Sequence, residues 1–168
     1  MRIVICGAGR VGSTIAEYLA QSGNDVVIID KNQEKLDALT DAIDARPVLG
    51  FASHPSVLQK AQAQDADMLI AVTESDEVNI IACEAAEKFF NVPTKIARIR
   101  SKEYTGAQYP FFAAKDAPID VVISPEVEIA RSIRRSISYS GAFDVLHLAG
   151  GVVRLIGIHC DDVCPMLN

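Results

Sequence analysis

The chain has 168 residues, 49% of them hydrophobic and 23% charged, with 16 Lys and Arg against 22 Asp and Glu for a formal charge of −6. This composition suits one ordinary domain with a small appendage and excludes global disorder; its acidic balance argues against a nucleic-acid partner, which would call for a basic surface. No run approaches the roughly 20 apolar residues that span a bilayer, and the N-terminal apolar segment is too short for a signal peptide, so the expected location is cytosolic, without direct membrane insertion.

In chain order, short β-rich apolar runs alternate with helical patterns. Strands are expected at residues 2–6, 25–29, 46–49, 68–72, 95–99 and 120–123, and helices at 11–21, 33–43, 55–61 and 77–89. This rhythm predicts an α/β fold, a Rossmann-like doubly wound parallel sheet of six strands with helices on both faces. Its ligand crevice should lie at the carboxyl ends of the first and fourth strands. Gly23-Asn24 reads as a stop after the first helix. Ser53 reads as a cap ahead of Pro55, and Ser75 with Asp76 and Glu77 as another helix start.

Residues 104–112 read as an irregular connection ahead of the sixth strand. Beyond that strand, Ile129, Ile133 and Ile137 recur every fourth residue, giving an amphipathic helix over 126–138. Its apolar stripe could cover the domain's own flank or a second subunit. Two further runs, 143–148 and 152–158, joined across Gly150-Gly151, predict a β-hairpin. The expected organisation is therefore a nucleotide-binding domain over 1–125, a connecting helix over 126–140, and the incomplete opening of a second lobe over 141–168.

The chemistry concentrates at the first strand. It runs directly into Gly7-Ala8-Gly9-Arg10-Val11-Gly12 and then a helix, the setting that makes a G-x-G-x-x-G spacing specific for a dinucleotide. Gly7 permits the tight turn, Gly9 lets a pyrophosphate approach the backbone, and Gly12 lets helix and strand lie close. The amides and dipole of the helix start, from Arg10 and Val11 onward, would hold the phosphates. Asp30 follows at the end of the second strand, where a carboxylate accepts ribose hydroxyls and repels a 2′-phosphate. NAD(H) is thus favoured over NADP(H), with Lys31 partly offsetting the repulsion. Gly50, Ala52 and Ser53 after the third strand, Thr73 and Glu74 after the fourth, and Arg98 and Arg100 at the fifth occupy strand ends that line such a crevice.

No catalytic residue emerges. His54, His147 and His159 fall at a helix start or in the hairpin region, and no nucleophile elbow, Walker loop or HExxH spacing occurs. The Thr73–Glu77 cluster reads as a capped helix start, so no metal site is expected there. Cys6 and Cys83 sit in apolar segments and read as reduced core thiols. Cys160 and Cys164 form a CxxxC of ambiguous meaning.

The runs 1–12 (MRIVICGAGRVG), 27–30 (VIID), 66–79 (ADMLIAVTESDEVN), 96–100 (IARIR) and 122–126 (VISPE) together resemble the RCK/KTN (TrkA-N) domain family of potassium-transport regulators. The resemblance implies a cytosolic subunit, peripheral on the inner face of the membrane, that docks on a potassium channel or transporter and adjusts it according to bound NAD(H) or, as the alternative, ATP or ADP. It implies that Gly7, Gly9, Arg10, Val11 and Gly12 contact phosphates, that Asp30 contacts the adenosine ribose, and that Thr73, Arg98 and Glu103 complete the pocket. It further implies that the 126–138 helix joins subunits into a homodimer or larger homo-oligomer, and that 141–168 opens a carboxyl-terminal lobe. Some family members carry an acidic residue where this chain has Phe51. The competing expectation is a fragment of an NAD-dependent dehydrogenase lacking its substrate domain.

Overall fold

The computed structural model describes residues 1–105, 117–138, 142–148 and 152–158. These form two compact units, Met1–Ser124 and Pro125–Asn168.

The first unit contains β1 (Arg2–Cys6), α1 (Arg10–Gln21), β2 (Asp25–Asp30), α2 (Gln33–Thr40), β3 (Arg46–Leu49), α3 (Pro55–Lys60), a 3-10 turn (Ala63–Asp65), β4 (Met68–Ala71), α4 (Asp76–Phe90), β5 (Thr94–Arg98), α5 (Lys102–Thr105) and β6 (Val121–Ile123). Its six strands are all parallel, in the order β3-β2-β1-β4-β5-β6. This is the doubly wound sheet expected from the alternating pattern. The central strands β1, β2 and β4 are apolar on both sides because helices cover both faces. In β1, Ile3 and Ile5 join Val26, Ile28, Ile70 and Val72 under α1 and α2, where Ala16, Leu36 and Leu39 meet them. The alternate residues Val4 and Cys6 point the other way, with Val27, Ile29, Leu69 and Ala71, against Leu58 of α3 and Cys83 of α4. Cys6 and Cys83 are free, buried thiols, as expected. Burial raises both pKa values, Cys83 to about 12, which suits inert core packing.

Most element limits fall within one or two residues of expectation, and the exceptions have local causes. α2 stops at Thr40, short of Ile43, where the Thr40 hydroxyl donates back to the carbonyls of Leu36 and Asp37 at 3.1 and 3.2 Å. Ile43 still packs on the core from the turn that follows. Ser53 is not a helix cap. His54 holds that position without a side-chain bond, because the turn closed by His54 N–H to the Phe51 carbonyl (3.0 Å) leaves Ser53 one residue outside α3. Gly23 does end α1: at φ 77° its N–H reaches the Ala20 carbonyl at 2.9 Å. Ser75 caps α4, accepting from the Val78 N–H at 3.3 Å.

The second unit contains α6 (Pro125–Ser138), β7 (Ala142–Leu148) and β8 (Val153–Ile158), the last two paired antiparallel. Helix and hairpin lie where the periodicities put them, and within this unit Ile129, Ile133 and Ile137 are exposed. Most of the 104–112 connection, the Gly150-Gly151 joint, and Cys160 and Cys164 lie outside the described residues.

Candidate functional site

β1 lies between β2 and β4, so the segments following these three strands converge at one end of the sheet. There they enclose a cavity of about 300 Å³. The glycine loop is fastened from beneath. Gly7 N–H donates to the Ile29 carbonyl at 2.7 Å, and Ala8 N–H to Asp30 Oδ2 at 2.7 Å. The second oxygen, Oδ1, accepts from Asn32 N–H at 2.9 Å. Asp30 thus anchors the loop while it lines the cavity, and each carboxylate oxygen, having two acceptor sites, keeps one for a ligand.

The three glycines differ in what a side chain would meet. Gly7 has φ +109°, and a Cβ there would stand 3.1 Å from the Thr73 backbone. At Gly12 a Cβ would fall 1.8 Å from the Gly7 carbonyl oxygen, so Gly12 lies beneath the cavity and sets the close packing of α1 on β1. A Cβ on Gly9 would meet nothing within 4 Å. No internal packing therefore demands glycine at position 9, which lines the cavity. Gly9 is also the residue before α1, whose first-turn N–H groups have no acceptor in a preceding turn and receive no side-chain cap.

On the far wall, Thr73 N–H donates to Asn79 Oδ1 at 2.9 Å and the Thr73 hydroxyl to the same oxygen at 2.7 Å. Asn79 Nδ2 donates to the Arg98 carbonyl at 2.8 Å, and Arg98 Nη2 to the Thr73 carbonyl at 2.7 Å. Asn79 is completely buried and ties the ends of β4 and β5 together through this set. Arg98 Nε is buried with no hydrogen-bond partner within the chain. A guanidinium N–H left so at a cavity wall suits an anionic ligand.

The predicted residues Gly7, Gly9, Arg10, Val11, Asp30 and Lys31 line the cavity together with Gly50, Ala52, Thr73, Glu74 and Arg98. Gly50 has φ +155°, and a Cβ there would press on Val57 at 2.7 Å. Glu103 is not brought to the cavity. It is exposed on α5, where its N–H donates to Ser101 Oγ at 3.2 Å. Ser53 and Arg100 are also outside the lining. Arg100 instead donates through Nη2 to the Glu74 carbonyl, while Asp76 Oδ2 accepts from the N–H groups of Arg100 and Ser101 at 2.9 and 2.7 Å.

The sequence reading assigned no site role to Lys35, Phe51, Ser75 or Val78, all of which line the cavity. Lys35 lies one turn into α2, and Phe51 directly follows the third strand's glycine. At the mouth, Lys31 Nζ and Glu74 Oε1 form an ion pair of 2.9 Å. Their hydrogen bond and charges raise the pKa of Lys31 and lower that of Glu74, with Lys35 and Arg100 lowering Glu74 further. The site thus offers bare amides, an unpaired guanidinium N–H and a carboxylate with spare acceptor sites around a ligand-sized space, a donor and acceptor set that fits an adenine nucleotide.

Residues 3–125 match the family model of the TrkA-N domain. The Trk system potassium uptake protein TrkA of Azorhizobium caulinodans is 46% identical over 169 residues, which cover 100% of this chain and 37% of that protein. The chain thus spans little more than a third of that relative. Among solved structures, the TrkA-N domain of the inner membrane protein ybaL from Escherichia coli superposes with a TM-score of 0.69 at 25% identity, over 80% of this chain and 94% of that one. The GsuK channel bound to NAD shares the fold, with a TM-score of 0.66 at 19% identity over 88% of this chain and 25% of that one. A parallel six-stranded sheet, a glycine loop opening onto a ligand-sized cavity and a match across most of the sequence converge on one assignment: the chain belongs to the TrkA-N domain family.

Proposed function

We propose that this chain is the nucleotide-sensing part of a regulator of potassium uptake, and that its crevice binds an adenine nucleotide, NAD(H) foremost and ATP or ADP as the alternative. The observation that carries the reading is Gly9, whose missing side chain leaves open space directly in front of the uncapped start of α1. The amides of Arg10, Val11 and Gly12 would hold the phosphates, with Arg98 completing the anion site through its unpartnered Nε. Asp30 would accept from the adenosine ribose with the acceptor sites its backbone partners leave free.

A bound nucleotide acts here as a signal. The side chains it would order come from different strands, and a ligand that favours one arrangement of them shifts a coupled equilibrium by its difference in affinity, typically about 1–3 kcal/mol. The similar proteins include a Trk system potassium uptake protein and the GsuK channel bound to NAD. They support a membrane potassium transporter or channel as the partner and a cytosolic position on the inner face of the membrane. In the same reading α6 joins subunits, the Glu126–Ser138 stretch being its dimerising part, and the hairpin opens a second lobe.

Calorimetry tests the binding step. The wild-type chain should bind NADH saturably and return it unoxidised, and Asp30→Ala should weaken binding by at least tenfold, consistent with the roughly 1.5–3 kcal/mol of a hydrogen bond to a charged group. Unchanged affinity in Asp30→Ala would remove Asp30 from the site. Consumption of NADH by the full-length protein with a small substrate would favour the dehydrogenase reading instead.

A further inference from the structure

We propose that Glu74 selects among adenine nucleotides: by holding Lys31 in an ion pair across the crevice it withholds a cation from the ribose 2′ position, so that ligands with a free 2′-hydroxyl enter and 2′-phosphorylated ones are rejected. The inference rests on the adenine-nucleotide reading above and says which member of that class the site admits.

The sheet order places β2 and β4 on either side of β1, so the residues that follow them face each other over the glycine loop. Lys31 comes directly after Asp30, the carboxylate expected at the ribose. A cation in that neighbourhood is what would accommodate a 2′-phosphate. Lys31 stands in the field of Asp30, whose two oxygens each accept one backbone N–H, from Ala8 and Asn32, but its hydrogen bond goes elsewhere. Its partner is instead Glu74 from the opposite side, at 2.9 Å.

Glu74 also stands in the field of Lys35 and Arg100, and Lys31, Lys35, Asp30 and Glu74 all line the same cavity. With Glu74 present, the formal charges of these four cancel. Without it, two lysines confront a single carboxylate, and a dianionic group of about −1.5 to −2 charge gains where it was opposed. Asp30 alone therefore does not set the preference; the acid across the crevice is needed to keep its neighbouring lysine occupied. Among the described residues Glu74 joins no hydrophobic core cluster, and its side chain is 75% exposed.

The test is a calorimetric comparison of NADH and NADPH binding to the intact chain, to Glu74→Gln and to the double variant Glu74→Gln, Lys31→Gln. The wild type should prefer NADH. In Glu74→Gln the ratio of NADPH to NADH affinity should rise roughly five- to tenfold at low ionic strength, shrink as salt is added, and fall back in the double variant, which lacks the released lysine. A ratio in Glu74→Gln equal to that of the wild type, a gain that survives loss of Lys31, or a wild type that prefers NADPH would each overturn the proposal. Binding of neither compound to any of the three would overturn the NAD(H) reading of the site and this inference with it, a result distinct from an unchanged ratio.

Discussion

Gly7, Gly9 and Gly12 form one motif in the sequence but answer to three different constraints: a positive φ, an open ligand side and a helix packed on a carbonyl. They should therefore fail differently on substitution. Gly9→Val should unfold in denaturant with wild-type stability and lose nucleotide binding, since its side chain would occupy only the space assigned to phosphate. Gly12→Ala should instead cost stability, about 2 kcal/mol or more, because relieving a 1.8 Å overlap requires α1 to move off β1. Denaturant titrations of the two variants, read beside NADH calorimetry, check both outcomes. A destabilised Gly9→Val would mean that position 9 serves the fold.

The same scale shows what sequence reasoning could reach. The glycines and Asp30 were legible because spacing and strand context constrain them together. Asn79 was not, because a polar residue three positions into a helix reads as solvated. Its only signal is its helical spacing from Cys83 and Ala86, on the side of α4 that is buried. Its burial makes it costly to remove. Asn79→Ala leaves the Thr73 N–H and the Arg98 carbonyl without their partner and should lower stability by about 2–3 kcal/mol.

At the scale of elements, β5 is held at both ends by polar contacts of unlike kind. At its carboxyl end, Asp76 of α4 gathers the N–H groups of Arg100 and Ser101. At its amino end, the buried Lys95 Nζ donates to the Val92 carbonyl at 3.0 Å and pairs with Glu87 at 2.5 Å and Asp120 at 3.1 Å, joining α4, β5 and the entry to β6. Burial opposes the charge of Lys95, yet its two carboxylate partners outweigh that, and its pKa is raised.

The pH dependence follows from that direction. A lysine whose folded pKa lies above its unfolded value contributes stability in full below the unfolded value, about 10.4, and loses it as pH climbs through the folded one. Stability should therefore fall in that alkaline window, and Lys95→Ala should be less stable by about 2 kcal/mol near neutrality while showing a shallower alkaline decline. Thermal melts from pH 8 to 11 decide it; parallel declines in both proteins would assign the alkaline loss to other groups. Element types and order were readable from periodicity except for the 3-10 turn and the short α5, whose Tyr104 and Thr105 fall in the stretch expected to be irregular. These end clamps were not, because Lys95, Asp76 and Asp120 meet partners that only the parallel register brings alongside.

For the whole molecule, the proposal assigns a separate task to each of the two units, Met1–Ser124 and Pro125–Asn168. The cavity proposed to bind the nucleotide is lined by residues of Met1–Ser124 alone. A chain ending at residue 124 should therefore fold cooperatively and bind NADH as the longer chain does. The exposed isoleucines of α6 belong to the second unit. Ile133→Asp should lower the mass measured by light scattering if that helix joins subunits, and an unchanged mass would remove it from the interface. Neither change should touch the crevice. The sequence suggests a boundary where the strand–helix alternation stops. The role of the second unit was not legible, because a short amphipathic helix and a lone hairpin are compatible with several partners.

The account stands or falls on where a nucleotide touches this protein, and amide-resolved NMR during an NADH titration reads that location directly. Saturating shifts are predicted for the backbone amides of Gly9, Arg10, Val11 and Gly12 and for the side-chain Nε of Arg98. Saturation with those signals unmoved, or shifts gathered at the opposite end of the sheet around Lys95 and Asp120, would contradict it.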